Sequence, residues 1–381
     1  MSKNNVYTRA LLTTVGILLF FGVLMIYDAT AVQSQNIYGH AYKFVLLQLS
    51  WVLVGLLGFL FFYRLSYKKI GKIAYLLFFG SLVFLAILAI FSLIPCDSSP
   101  AVAPCINGAN RWLYLNPPPL PSLPLIGVLG FQPAELAKLA LILYLSFQLC
   151  KNLKKGEDPF VVYMVSTGIA AGLILLQPNL STAVLVFGLG TLVYFVSGFS
   201  LKPMIFLIPI VVGLTFLAIF LSPYRRTRLM TYLSGDVSTE SPESYHVNQI
   251  SIALGTGGFL GVGFGESRQK YQYLPEVASD SIFAIIGEEF GFVGTTGMVC
   301  LFVYLIYLGV QIAQNAPDLK GRMIATGITS WLGLQVLVNV AAMVRLVPLT
   351  GVPLPLISYG GSSMVFTLMG LGVLASVSRE S

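Results

Sequence analysis

The sequence predicts an all-α integral membrane protein of about ten transmembrane helices, and three observations carry that prediction. Hydrophobic residues make up 56% of the 381 positions and charged residues only 10%, against roughly 45–50% apolar and 25% charged in soluble domains. Apolar runs of about 17 to 25 residues, the length that crosses a hydrocarbon core, alternate with short polar punctuation along the chain. Basic residues collect in alternate short connections, the distribution the positive-inside rule describes. The net charge of +7 therefore reads as a signal of orientation, and no nucleic-acid partner is implied.

In order, the runs cover 10–27, 44–63, 73–94, 134–150, 160–176, 180–197, 203–222, 282–311, 323–344 and 362–377. The first has Lys3 and Arg9 before it in the manner of a signal peptide. It lacks a convincing small-residue cleavage site and further runs follow, so it reads as a retained span. The run at 282–311 is too long for one perpendicular crossing, so its first turns are expected to tilt or to line a cavity. With the N-terminus in the cytoplasm, Arg64, Lys68, Lys69, Lys72, Lys151, Lys154, Lys155, Lys202, Lys320, Arg322 and Arg379 all fall inside, which puts both termini there. The chain then reads as one polytopic membrane domain, 1–381. Segments 95–133 and 223–281 form large outer-face loops, and 345–361 forms a third outer segment.

These outer segments carry the unusual residues. The first, INGANRWLYLNPPPLPSLPLIGVLGFQPAELAK, is broken by proline and glycine and is expected to be irregular. Its Arg111 and Trp112 suit either an interfacial anchor or a contact to a lipid-linked sugar. Beyond Gln132 the chain enters a span carrying Glu135 and Lys138, which lie three apart and share a helix face. A structural ion pair and a substrate role fit that pair equally. In the turn QPNLST, Gln177 and Asn179 mark either a plain helix connection or broken backbone able to meet a ligand. Arg225, Arg226 and Arg228 form either a solvated or headgroup cluster or a site for an anionic headgroup, since guanidinium forks match phosphate oxygens. The glycine-rich GTGGFLGVGFGES has no strand before it and so is no dinucleotide site. Close backbone approach or a re-entrant loop is expected there. The third segment, RLVPLTGVPLPLISYGGSS, with Ser358 and Tyr359, is expected to wall a cavity.

The densest stretch is ESRQKYQYLPEVASDSIFAIIGEEFGFVG. It sets Arg268, Lys270, Pro275, Glu276 and Asp280 directly before an apolar helix with Glu288 and Glu289. A charge at the bilayer centre costs at least about 2.5–3.5 kcal/mol, so such groups need partners, water or a function. Glu135 and Lys138 are therefore expected to join a network with Glu288 or Glu289. Consecutive helical positions point to different faces, and Glu288 is taken as the one facing the site. Asp280 could serve as a base or simply cap the helix. Among four cysteines, Cys96 and Cys105 share the first outer loop, and their bridging is left open by sequence; Cys150 and Cys300 read as apolar packing residues. His40 and His246 are the only histidines, and no zinc-type spacing or protein metal cage is expected. A nucleophilic triad and a phosphate loop are also missing. A carboxylate beside cations at the outer surface fits a transfer in which a hydroxyl attacks and a phosphate-bearing group leaves. A sugar on a polyprenyl pyrophosphate is the natural substrate for such a site.

NRWLYL with FQPAELAK, then YHVNQISIALGTGGFLGVGFGESRQKYQYLPEVASDSIFAIIGEEFGFVG, then PLTGVPLPLISYGGSS, in order over nearly the whole chain, resemble the SEDS (shape, elongation, division and sporulation) family of peptidoglycan polymerases. The SRQKYQYLPE version is more similar to the FtsW division branch than to RodA. The resemblance implies a ten-span fold that polymerises lipid II into the nascent glycan strand at the outer face of the cytoplasmic membrane. It also implies a class B penicillin-binding protein as crosslinking partner, further division-complex membrane proteins, and a place at the septum. By motif, the family's essential aspartate falls on Asp280, its salt-bridged pair on Glu135 and Lys138, and its Arg-Trp pair on Arg111 and Trp112. Pro275 and Glu276 match the aspartate's flank, and Ser358 and Tyr359 the third motif. Ala278 and Ser281 depart from the usual His and Phe, Asn179 from a frequent Asp, and Arg345 from a common Gly. In the implied mechanism Asp280 deprotonates the acceptor hydroxyl, while Arg111 and the basic loop residues meet the departing charge. No resident cofactor is implied beyond a divalent cation, Mg or Mn, that could accompany the pyrophosphate. A lipid II flippase and a structural division scaffold are the competing classes. The first needs midplane ionisable groups with access to both faces, and the second needs no acid at Asp280.

Overall fold

Helices take up nearly all of the apolar runs in the computed structural model, which describes residues 3–106, 108–118, 120, 129–199, 222–234, 242–271 and 273–380 and scattered positions between 209 and 220. In chain order they are α1 (Lys3–Tyr38), α2 (Lys43–Arg64), α3 (Gly71–Phe91), α4 (Pro133–Lys155), α5 (Phe160–Leu176), α6 (Leu180–Val196), α7 (Pro223–Ser234), α8 (Pro242–Gly257), α9 (Ile282–Gln314), α10 (Leu319–Met343) and α11 (Gly361–Glu380). Of these, α1 to α4 and α9 to α11 are long and apolar enough to cross a membrane. Helices α5 and α6 are apolar with 17 residues each, about 25 Å of helix, the short end of a bilayer span. The expected span 203–222 falls largely outside the described residues.

Local chemistry fixes the helix ends. Helix α4 starts with Pro133 and ends at Gly156, whose left-handed φ of 71° lets its N–H reach the last carbonyls; Lys154 and Lys155 sit where the helix dipole favours cations. Asn179 caps α6 through Thr182 N, and Asp318 caps α10 through Gly321 N at 2.7 Å. Apolar on nearly every face, α4 is buried through most of its length and sits at the centre of the bundle, against α3, α6 and α10. Helices α2 and α11 approach closely because small residues line the seam: a Cβ on Gly372 would fall 2.5 Å from the Phe59 carbonyl oxygen. One continuous cluster of buried apolar side chains joins α1 to α6 with α8 to α11.

The first outer segment is folded around two short ribbons, β1 (Cys105–Ile106) with β2 (Ala109–Asn110), and β3 (Leu113–Tyr114) with β4 (Gly130–Phe131). Cys96 and Cys105, 5.3 Å apart at Cα, are disulfide-bonded. Much of the proline-rich LNPPPLPSLP insertion lies outside the described residues. Cys150 packs its Sγ 3.7 Å from the Met323 Sδ, as expected of a packing residue. Cys300 does not follow that expectation, because it is exposed on the surface of α9.

Segment 223–281 is more than an outer-face loop. Helix α9 breaks at Gly291 (φ 64°, ψ −161°), and the glycine-rich chain after α8 lies along the break. There Val262 N donates to Glu288 O and Gly263 N to Glu289 O (3.0 Å each), while Phe292 N donates to Gly258 O (2.9 Å) and Val293 N to Phe259 O (3.1 Å). The helix thus loses its own ladder where the loop supplies a replacement, the condition for irregular backbone at membrane depth. Gly261 must be glycine for this approach, since its φ is 84° and a Cβ would strike the Glu289 backbone. The pairing occurs roughly ten residues into α9, about 15 Å along its axis, and is the close backbone approach that the glycine pattern suggested.

Candidate active site

Asp280 stands at the top of that loop, one residue before the N-cap of α9. The cap is Ser281, and it makes no side-chain capping bond; capping therefore does not account for Asp280. Its main-chain carbonyl accepts from Asn339 Nδ2 at 2.9 Å, and the same nitrogen donates to Val352 O at 2.8 Å. One amide on α10 thus holds the Asp280 junction and the third outer segment together. Tyr359 N donates to Ala278 O at 2.7 Å, a second tie between the same pieces. Before Asp280 the chain turns sharply: Glu276 has a left-handed φ of 51°, and Ser279 Oγ donates to its carboxylate at 2.7 Å. Ser279 Oγ also lies 3.3 Å from Asp280 Oδ1. On the other side, Gly351 (φ 66°) leaves the carboxylate open, because a Cβ there would sit 3.6 Å from Asp280 Oδ2.

Burial raises the Asp280 carboxyl, the Glu276 charge adds to the effect, and Arg228 and Ser279 pull it back; the outcome is about 6. That is the range in which a carboxylate is ionised at neutral pH yet basic enough to take a proton. His246 Nε2 lies 2.7 Å from Ser281 Oγ. Burial and the neighbouring Arg228 push its pKa down to about 4, so it is neutral and acts as a hydrogen-bonding group.

Glu135 and Lys138 are neighbours at 2.7 Å, both buried. Lys138 Nζ also donates to Gln335 Oε1 at 3.0 Å and lies over the Trp331 ring. Gln335 accepts a further bond from Trp331 Nε1 and donates to Pro353 O at 2.9 Å. A polar ladder therefore runs from the ion pair through Gln335 to the segment that faces Asp280.

The expected network with Glu288 and Glu289 does not form: among the described residues no hydrogen bond or ion pair joins the two groups. The glutamates belong to a separate buried cluster. Glu288 accepts from Ser267 Oγ, Arg268 N and Gln269 N. Glu289 accepts from Ser267 N at 3.2 Å and from Lys270 Nζ at 3.1 Å. Lys270 in turn bonds Asp28 Oδ1 at 2.8 Å and Gly265 O at 2.6 Å. Both glutamates are thus engaged by one loop that wraps the helix, so the idea that only Glu288 faces inward does not hold. Lys270 is 6% exposed and engaged by three internal partners, Asp28, Gly265 and Glu289, so it clamps the loop. Helix α1 continues past Asp28 to Tyr38, with Asp28 buried against Lys270.

The remaining expected residues are spread around this junction. Arg111 Nη2 donates to Pro178 O at 2.7 Å, tying the first outer segment to the α5–α6 turn. Trp112 and Pro275 are half-buried and the Arg268 side chain is exposed. Gln177 is buried and donates to Leu85 O at 2.9 Å, a structural bond inside the bundle. Gln132 N donates to Ser362 Oγ at 2.9 Å, and Ser358 Oγ accepts from Leu354 N at 2.8 Å within the third segment. Sequence reasoning passed over Gln335 and Asn339, although their four-residue spacing on an apolar run is a legible signal of one polar helix stripe. It also passed over Gly351 and Asp28. Among the described residues no group of three or more His, Cys, Asp or Glu side chains converges as a metal cage would.

Comparisons with known proteins agree on one kinship. The chain is 34% identical over 375 residues to stage V sporulation protein E of Bacillus subtilis (strain 168), covering 96% of this chain and 95% of that one. It is 33% identical over 385 residues to the probable peptidoglycan glycosyltransferase FtsW of Geobacter sp. (strain M18), covering 98% and 97%. Among solved structures, one from work on the structural coordination of polymerization and crosslinking by a peptidoglycan synthase complex superposes with a TM-score of 0.73 at 28% identity, over 97% of each chain. The Thermus thermophilus rod shape determining protein RodA gives a TM-score of 0.66 at 28% identity, over 97% and 96%. The family model for FtsW/RodA/SpoVE cell cycle proteins matches residues 9–381, and the chain belongs to that family.

Proposed function

We propose that this multi-pass membrane protein is a peptidoglycan glycosyltransferase that polymerises lipid II into β-1,4 glycan strands at the outer face of the cytoplasmic membrane during division. The observation that carries the reading is Asp280, a half-buried carboxylate near pKa 6 at a junction between outer segments and membrane helices. Asp280 takes the proton of the acceptor's N-acetylglucosamine 4-hydroxyl as that oxygen attacks the donor's anomeric carbon. The bond from that carbon to the pyrophosphate oxygen breaks with its electron pair, and inversion gives the β-linkage. Asp280 then returns its proton to water. Asn339 and the Tyr359 backbone hold the main chain at Asp280 and Ala278 against the third segment, and neutral His246 keeps Ser281 in place at the helix start. The described residues offer a divalent ion no cage; Mg or Mn, where used, would ride on the substrate's pyrophosphate.

Both termini face the cytoplasm in this reading. A crosslinking partner of the class B penicillin-binding type and other division proteins join the enzyme at the septum. The likeness to a chain from a synthase complex in which polymerization and crosslinking are coordinated supports the first of these partners.

Purified protein in detergent, given lipid II, should produce glycan strands; a flippase would produce none, since no sealed membrane is present. Asp280→Asn should fold and reach the membrane normally yet lose polymerisation by at least about a hundredfold, the low end of general-base contributions. Near-normal strand synthesis by that variant would move the base to Glu276 or His246.

A further inference from the structure

The end of α10 is built in a way its backbone does not ask for. Leu346 N donates to Ala341 O at 2.8 Å and Arg345 N to Ala342 O at 3.2 Å, the paired bonds of a Schellman motif. That motif requires a left-handed residue between them, and Arg345 has φ 60°. Glycine adopts this conformation freely and an arginine only under strain. The arginine is therefore there for its side chain.

That side chain has a defined setting. Tyr232 OH donates to Leu346 O at 2.8 Å and Arg228 Nη1 to Leu349 O at 3.1 Å, so α7 is stitched to the chain leaving α10. Arg228 and Arg345 consequently line one shallow pocket with Tyr232, Val247, Val347 and Pro348. Among the described residues Arg345 forms no ion pair. The planar forks of two guanidinium groups on one pocket suit phosphate oxygens. The pocket adjoins the reacting end: Leu349 is two residues from Gly351, which faces the Asp280 carboxylate, and the Arg228 charge is felt by both Asp280 and His246.

We propose that Arg345 and Arg228 bind the diphosphate of a polyprenyl-diphosphate sugar and hold it beside Asp280. The proposal rests on Asp280 marking the reacting end, and it assigns the diphosphate subsite to a residue whose backbone would be better served by glycine. The test sets stability against binding. Arg345→Gly relieves the strained φ, so the purified variant should melt no lower than the parent. Its affinity for farnesyl diphosphate in neutral detergent, measured by calorimetry without turnover, should fall roughly tenfold, the weight of one charge-assisted hydrogen bond. Arg345→Lys, which keeps the charge but not the fork, should fall between the two. KM for lipid II should rise with little change in kcat. Unchanged farnesyl diphosphate binding in Arg345→Gly would overturn the proposal, as would a lower melting point accompanying the loss. Phosphatidylglycerol in mixed micelles competing as well as farnesyl diphosphate would also overturn it, making the pocket a general anionic-lipid contact. Because binding is read without catalysis, an active Asp280→Asn would defeat the general-base assignment while leaving this result to stand on its own.

Discussion

Asn339→Leu removes a side chain that grips both halves of the proposed site. The amide is 1% exposed, and its Nδ2 serves Asp280 O and Val352 O at 2.9 and 2.8 Å. Leucine is close in size and suits a membrane helix, so the perturbation is the loss of two donors to carbonyls in a sparsely hydrated place. Each carbonyl left without a partner costs about 1–3 kcal/mol, or roughly 2–6 kcal/mol for both. That cost is local, because α10 keeps its own helical bonds and its packing on α4 and α6. The junction should relieve it by moving, and a shift of about 1 Å in a reacting group costs on the order of a hundredfold in rate. The expected result is a polymerisation rate at saturating lipid II reduced by about that factor, with normal yield, monodisperse chromatography in detergent and a nearly unchanged KM. Asn339→Asp, of the same shape but lacking the donor when ionised, should be at least as damaging. Strand synthesis at the parental rate by either variant would refute the argument that this amide positions Asp280.

Two further outcomes follow from the charges. A carboxyl whose pKa is raised from 3.8 to about 6 binds its proton more tightly folded than unfolded, so its contribution to stability is fully present below the unfolded value and is lost as pH rises through about 6. Asp280→Asn should therefore melt at or above the parent at pH 7, keep about half of that advantage at pH 5 and lose it below about pH 4, while parental polymerisation declines as pH drops through 6; a parental rate flat from pH 7 to 5 would contradict the assignment. Lys270→Met strips the cation from Asp28 and Glu289, whose bonds to it are 2.8 and 3.1 Å in a buried setting. Breaking a buried pair in this way costs about 3–5 kcal/mol. The variant should lose thermal stability in a fluorescence-detected chromatography assay and recover part of it when Asp28→Asn and Glu289→Gln are added; a Lys270→Met protein as stable as the parent would show that the clamp carries no weight.

Most of the membrane architecture was legible because hydropathy and charge act locally. Each apolar run must satisfy its own backbone polar groups within a helix, and a basic loop marks a break between runs whatever the rest of the chain does. Local spacing also identified the Glu135–Lys138 pair, the glycine-rich close approach and the Asp280 junction. The physics in each case lies within a few residues: two side chains on one helical face, a φ that only glycine tolerates, a carboxylate at a helix start. What the tertiary structure alone decided is which distant charges meet. Lys270 pairs with Asp28, 242 residues away, and with Glu289, and it leaves Glu135 and Lys138 to Gln335. That choice depends on helix rotation and on how deep the 258–281 loop descends, neither of which is encoded in the hydropathy of any one run. The grip of Asn339 on Asp280 and the strained Arg345 beside Arg228 have the same origin, since each needs segments far apart in sequence to be brought together; the Cys96–Cys105 bridge spans only nine residues, but it depends on how the loop brings the two Cβ atoms together.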